Sequence, residues 1–386
     1  MVSTFVFPNK IFFGAGALQE LPTQLGMSGV KRPLLVTDPG LVDCGMAERV
    51  KQTLDRGGIS APIFSGVEAN PTEENVLDGV EAYNSEGCDG VIGLGGGSPL
   101  DVAKGIRVKA THELPLAEYA IGNNGWEKMT NPMPPMAAVP TTAGTGSDVA
   151  RGALIIVRPS GVKVAIVGEN LFPAFTISDP ELTLDLPPHL TAGTGMDALT
   201  HCIEEYISPR VNPLVDGLVL EGISRCARSL VTAFEDGRQI EARGDMMIAA
   251  MAGGIGFNKG LGVVHSLSHP IGSIIGGHHG TTNAILLPAS LEFNFDESLI
   301  RFRAMAAAAE LEIHQLSDEE CGRAFIDWVR DLNRKLNIPN DLSVFGATRE
   351  HITELVPMCM VDHCHQTNPR ACTESDFENL LKAHIP

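Results

Sequence analysis

The stretch CDGVIGLGGGS, residues 88–98, is an apolar run that passes straight into glycines, and the helical pattern PLDVAK follows it. A buried strand, a tight turn and a helix with proline close to its start constrain this part of the chain strongly. Strands alternating with helices imply a parallel sheet covered by helices. The alternation recurs through the first half: KRPLLVTD precedes a helical stretch near 46–55, and APIFSGV precedes one at 72–85. MAAVPTTAGTGSD is again strand into loop, a polar hairpin spans 153–167, and AFTISDP closes the series. Two short extended pieces around Pro8, within residues 4–13, open it. After about Leu184 the period changes, and only helices are expected, near 213–234, 241–257, 299–311, 318–336, 349–360 and 373–383. The expectation is an α/β domain over 1–184 and an all-helical domain over 185–386.

With 386 residues there is ample length for a core in each domain. A net charge of -19 argues against nucleic acid or an anionic membrane as partner, because both require a basic footprint. No apolar run reaches the ~18 residues that suggest a membrane-spanning helix, and the N-terminus lacks the pattern of a signal peptide. The eight cysteines are scattered without a CxxC pair, which reads as reduced thiols in a cytoplasmic protein.

Four stretches carry chemistry. In GTGMDALTHCIEEY, Asp197 and His201 lie four residues apart on a helical pattern, so both project from one face. In GLGVVHSLSHPIGSIIGGHHG, His265 and His269 repeat that spacing. Pro270 and Gly272 are expected to break the helix, and a glycine turn delivers His278 and His279. One carboxylate with several imidazoles suits Fe(II), Zn(II), Ni(II) or Co(II), and the absence of thiolate favours an open catalytic site over a closed structural one. His112, His189 and His314 stand alone and read as ordinary core or surface residues.

The other two stretches are loops. Gly93 to Lys104 is neither GxGxxG nor a Walker loop, yet its glycines after a strand let backbone N–H groups approach a pyrophosphate. PTTAGTGSD, residues 140–148, is a second strand-to-loop element, and two such loops side by side would form a dinucleotide crevice. Asp38, at the end of LLVTDPG, could accept from a ribose 2′-hydroxyl, favouring NAD over NADP, or simply form a turn.

Taken together, GGGSPLDVAK, PTTAGTGSD, LPPHLTAGTGMDALTHCIEEYIS and GLGVVHSLSHPIGSIIGGHHGTTNAILLP resemble the signatures of the iron-containing, group III alcohol dehydrogenases. The resemblance covers nearly the whole chain. It implies a Rossmann-like domain and a helical domain in the dehydroquinate synthase-like arrangement, with the active site in the cleft between them. It further implies Asp197, His201, His265 and His279 as metal ligands and His269 as a proton-transfer residue. The implied cofactor positions are Asp38, Asn70, Gly95, Gly96, Gly97, Ser98, Asp101, Thr141, Thr142, Thr145, Ser147, Lys163 and Leu182. Phe257 falls where the family lines the substrate pocket, and His278 is an imidazole where relatives often carry proline. Asp148 and Ala150, in SDVAR, replace the family's common Glu and Thr, which bears on substrate choice together with Arg151.

The implied reaction is reversible oxidation of a primary alcohol or short diol to its aldehyde, with NAD and Fe(II), or Zn(II) or another divalent ion. Functionalised aldehydes and 4-hydroxybutyrate-like acids are also substrates among related enzymes. The alternatives are a glycerol or polyol dehydrogenase, a metal-free maleylacetate reductase-like enzyme, a dehydroquinate synthase-like lyase, or a non-catalytic binding role. A homodimer or larger homo-oligomer formed through the N-terminal strands is expected.

Overall fold

The computed structural model describes residues 6, 7 and 10–386, so residues 4, 5, 8 and 9 of the segment expected to be extended lie outside the described residues. The chain divides into two units, one of residues 7–142 with 146–184, the other containing 143–145 and 185–386.

The first unit carries strands β1 Lys10–Phe13, β2 Pro33–Val36, β3 Ile63–Phe64, β4 Gly90–Gly95, β5 Met136–Pro140, β6 Gly152–Val157, β7 Val162–Val167 and β8 Phe175–Ser178. Six form one sheet in the order β1-β8-β5-β4-β2-β3, with every pairing parallel, while β6 and β7 make a separate antiparallel hairpin. Helices α1 Leu21–Met27, α2 Pro39–Asp43, α3 Met46–Arg56, α4 Glu73–Ser85 and α5 Gly97–Lys109 lie among them in sequence. Every residue of β2, β4 and β5 is buried, which is why these strands read as unbroken apolar runs. Successive side chains serve opposite faces: Val91 shares one core cluster with Val76, Val102 and Ile106, whereas Ile92 and Leu94 share another with Val50 and Leu54. Each such buried aliphatic side chain contributes roughly 1.5–3 kcal/mol.

In this unit two boundaries differ from the sequence expectation. The apolar APIFSGV yields only a two-residue strand, because β3 is the sheet edge and has only β2 to pair with. Helix α5 starts two residues before Pro99, whose missing N–H costs nothing in a first turn.

The second unit contains α6 Pro188–Ile207, α7 Pro213–Glu235, α8 Ile240–Gly256, α9 Val263–Ile274, α10 His279–Phe293, α11 Phe295–Ala308, α12 Asp318–Lys335, α13 Ile352–Val361 and α14 Glu374–His384. No strand occurs among its described residues. Helix α6 is buried from Thr191 through Ile207, so it is the element on which the rest of the unit packs. Helix α9 runs through Pro270 to Ile274, correcting the expected break. One lost hydrogen bond is outweighed by burial of every residue from Val263 to Ile271. Helix α11 ends at Ala308 rather than Leu311, since Glu310 adopts a left-handed φ of 59°. Among the described residues no single helix is long and apolar enough to cross a membrane.

Candidate functional site

Helix α6 presents Asp197 and His201 on one face, and both are buried. Helix α9 presents His265, and His279 is the first residue of α10. Asp197 Oδ1 lies 3.7 Å from His201 Nε2, 3.9 Å from His265 Nε2 and 3.7 Å from His279 Nε2. Ligand-capable atoms of Asp197, His265 and His279 fall within 4.8 Å of one another, and His201 stacks on His265 with ring centroids 4.7 Å apart. Phe257 packs edge-on against His201 at 4.9 Å.

The electrostatics suit a cation. Burial pushes the His201 pKa down to about 4 against the pull of Asp197, so its imidazole is neutral and able to donate a lone pair. For His265 burial also works downward, but the Glu204 carboxylate more than offsets it and the pKa is raised. Glu204 Oε2 lies 2.5 Å from His265 Nδ1, and its Oε1 accepts from the Val264 N–H at 2.7 Å. That contact occupies Nδ1 and leaves Nε2 facing Asp197, the usual outer arrangement of a metal-binding histidine. Asn283 donates from Nδ2 to Asp197 Oδ1 at 2.7 Å, with that nitrogen 3.3 and 3.2 Å from His265 Nε2 and His279 Nε2. One carboxylate oxygen and three imidazole nitrogens converging at these separations are a donor set that fits a divalent ion.

His269 packs against the ring of His265 and stacks on that of His279, with centroids 5.7 and 5.6 Å away. Its Nδ1 lies 2.8 Å from Asp362 Oδ2. His278 does different work from its neighbour. It is the residue capping the N-terminus of α10, accepting from the Thr281 N–H at 3.3 Å through Nδ1. The turn before it uses Gly276 and Gly277 at φ 85° and 92°, where a side chain would be strained.

Glu204, Asn283 and Asp362 were not singled out from sequence. Glu204 stands seven residues after Asp197 and Asn283 four after His279, both periodic spacings along one helix face. Asp362 carries no local signal, since it meets His269 across 93 residues of chain.

The Gly93–Lys104 loop belongs to the first unit, as does the 140–148 loop apart from residues 143–145. The chain runs from β2 outward to β3, then returns to β4 on the other side of β2, so the order reverses between β2 and β4. Ligands of open α/β sheets bind beyond the carboxyl ends of strands at such a reversal. Asp38 follows β2, and Gly95, Gly96, Gly97 and Ser98 lie at the end of β4 and the start of α5. Gly95 has φ 145°, and a Cβ there would meet Pro99 at 2.6 Å. Thr141 donates its N–H to Gly95 O at 3.0 Å, and Thr142 lies beside Gly96.

Other positions in this unit are already engaged. Asp38 caps α2, accepting from the Leu41 N–H at 3.0 Å. Asp101 accepts from Ser147 Oγ at 2.6 Å and the Leu154 N–H at 2.9 Å. Lys104, fully buried, donates to Ser147 O, Ser147 Oγ and Gly152 O at 2.7, 2.8 and 2.6 Å. Burial lowers its pKa to about 8 against the opposing pull of Asp101. Lys163 donates to Asn70 Oδ1 at 3.1 Å, and Ser98 Oγ to Ala69 O at 2.7 Å. Leu182 is a core residue. Asp148 is buried, which raises its pKa to about 6, and Arg151 faces Glu169 at 3.9 Å in a partly exposed pair. Thr145 belongs to the helical unit.

The sequence model of the iron-containing alcohol dehydrogenases matches residues 8–180, and that of the family's C-terminal domain matches 191–385. A 4-hydroxybutyrate dehydrogenase of Cupriavidus necator is 41% identical over 379 residues, 97% of each chain. A 1,3-propanediol dehydrogenase of Klebsiella pneumoniae is 36% identical, covering 98% of this chain and 97% of that one. A crystal structure of a 1,3-propanediol oxidoreductase superposes with a TM-score of 0.95 at 36% identity, over 100% of both chains. The histidine–carboxylate cluster and these similarities along the full length agree, and the chain belongs to the iron-containing alcohol dehydrogenase family.

Proposed function

We propose that the protein is a metal-dependent NAD(H) alcohol dehydrogenase that interconverts a primary alcohol, short diol or hydroxy compound and its aldehyde. The observation that carries this reading is the convergence of three imidazole nitrogens on Asp197 Oδ1 at 3.7–3.9 Å. Asp197, His201, His265 and His279 would hold the ion, Fe(II) first and Zn(II) as the alternative. A divalent ion held there would supply Lewis acidity at the substrate oxygen, and a nicotinamide would supply the hydride acceptor.

The chain's own residues do the rest. His269 accepts the alcohol proton at Nε2, a buried atom with no hydrogen-bond partner among the described residues. Phe257, edge-on against His201, would line the substrate pocket. The N-terminus of α5 and the Gly95–Ser98 backbone receive the pyrophosphate, while the Asp38 carboxylate favours an unsubstituted ribose. The remaining nucleotide contacts fall to Asn70, Asp101, Thr141, Thr142, Thr145, Ser147, Lys163 and Leu182. Asp148 and Arg151 bear on substrate choice, and the pairing of Arg151 with Glu169 weakens its claim on an anionic tail. A cytoplasmic location agrees with the eight free cysteines, and a homodimer agrees with β1 lying at a sheet edge.

The test is NADH formation by metal-stripped protein over a panel including 4-hydroxybutyrate, 1,3-propanediol and simple primary alcohols. Each assay is repeated after anaerobic Fe(II), after Zn(II) and without added metal. Turnover restored by metal supports the reading. NAD binding without net NADH from any alcohol would move it to the lyase.

A further inference from the structure

We propose that Asp362 is a positioning residue for proton transfer: it holds His269 in the one tautomer and orientation that leaves Nε2 free to accept a proton. The proposal rests on the reading of His269 as the proton acceptor.

The carboxylate is committed on both oxygens. Oδ2 lies 2.8 Å from His269 Nδ1. Oδ1 accepts from Ser266 Oγ at 2.7 Å and from the Cys364 N–H at 2.8 Å. Ser266 Oγ in turn accepts from the His365 N–H at 2.7 Å, so its own proton is directed onto Asp362. Ser266 and His269 lie on α9, and Asp362 ends α13, so the contact joins two helices through the imidazole.

A carboxylate that already accepts from Ser266 Oγ and the Cys364 N–H takes the Nδ1 hydrogen of His269 as well, and Nε2 is left on the opposite side of the ring. Nε2 is buried and has no hydrogen-bond partner among the described residues, while its ring lies against His265 and His279. A buried basic nitrogen left open beside a metal-type cluster is what a proton acceptor requires. The carboxylate behind it also stabilises the imidazolium that forms on proton uptake.

A second arrangement of the same atoms competes. His269, Asp362 and Cys364 have ligand-capable atoms within 4.8 Å of one another. The 2.8 Å N···O separation is hydrogen-bond length, and burial holds the Cys364 thiol protonated, its pKa well above the usual range. The geometry therefore favours the dyad over a second metal site.

The experiment compares full-length, metal-loaded wild type with His269→Ala, Asp362→Asn, their double mutant and Ser266→Ala. For each, kcat, KM for the alcohol, bound metal, NAD affinity and the solvent isotope effect on kcat are measured. His269→Ala should lower kcat by about 100-fold or more, the usual contribution of a positioned acid or base. Asp362→Asn should lower it by roughly 10–100-fold, with KM, metal content and NAD affinity unchanged and a larger solvent isotope effect. The double mutant should be no slower than His269→Ala alone, because Asp362 acts only through that ring. Ser266→Ala should show a smaller loss in the same direction, and it carries the test if Asp362→Asn does not fold.

A fully active His269→Ala enzyme would overturn both the proton-acceptor reading and this proposal. An impaired His269→Ala beside unchanged Asp362→Asn, or unchanged Ser266→Ala where Asp362→Asn does not fold, would overturn the positioning role alone. So would losses that add in the double mutant, or two equivalents of bound metal falling to one in Asp362→Asn.

Discussion

The two units present their chemistry in opposite ways. In the sheet unit the nucleotide-type loops offer backbone: Gly95 turns at φ 145°, and α5 begins immediately after it. In the helical unit the cluster is made of side-chain atoms projected from three helices, each imidazole aimed by a partner or by packing. A backbone site is spoiled by adding a side chain where none fits, whereas a side-chain site is spoiled by removing one. Substitutions in the two units should therefore fail differently, one in nucleotide affinity and the other in metal content.

The largest effect is expected at the cluster itself. Asp197→Ala and His265→Ala should lose bound metal and depress turnover by more than the ~100-fold that bounds outer-partner effects, while NAD affinity stays within a few-fold. Metal analysis beside a nucleotide titration checks this, and retained metal in either variant would break the contrast between the units. Glu204→Gln comes next. It keeps the shape but loses the charge behind His265, so metal affinity should weaken by roughly 10–100-fold, read by competition with a chelator.

Gly95→Ala probes the other side. Its strained φ and the clash with Pro99 should cost about 1–3 kcal/mol, raise KM for the nucleotide and leave bound metal untouched. If its metal content fell in parallel, the two sites could not be treated as separable.

The smallest effect concerns Glu205, one residue from Glu204 on α6 yet facing elsewhere. Its two oxygens are buried without hydrogen-bond partners among the described residues, and burial first, then Glu204, raises its pKa well above the usual carboxyl value. Its folded pKa lies above its unfolded one, so the folded state prefers the neutral acid. Stability is therefore fullest below the unfolded value near ~4.3 and declines as pH rises from there toward the folded pKa. Glu205→Gln should raise Tm at neutral pH by a few degrees and flatten that decline. An equal or lower Tm at neutral pH would mean an unseen partner for the carboxyl.

Much of this architecture was legible in the linear pattern. The unbroken apolar runs of β2, β4 and β5 announced strands buried on both faces, and the four-residue spacings put Asp197 with His201 and His265 with His269 on shared helix faces. Local signals misled where tertiary contacts decide. Pro270 reads as a helix end, yet α9 continues through it because its surroundings are fully packed. His278 and His279 are indistinguishable in sequence, and only the start of α10 between them makes one a cap and the other a member of the cluster.

The sequence by itself determined the class of fold, the change of period after residue 184 and the residue types able to bind a divalent ion, because these depend on local periodicity and chemistry. The tertiary structure alone decided which atoms meet. Glu204 behind His265, Asn283 across Asp197, and Asp362 behind His269 are contacts between helices separated by 61, 86 and 93 residues. Nothing in a local pattern encodes such partners. They are set by how buried helices pack, and that packing fixes which nitrogen of each imidazole is left to act.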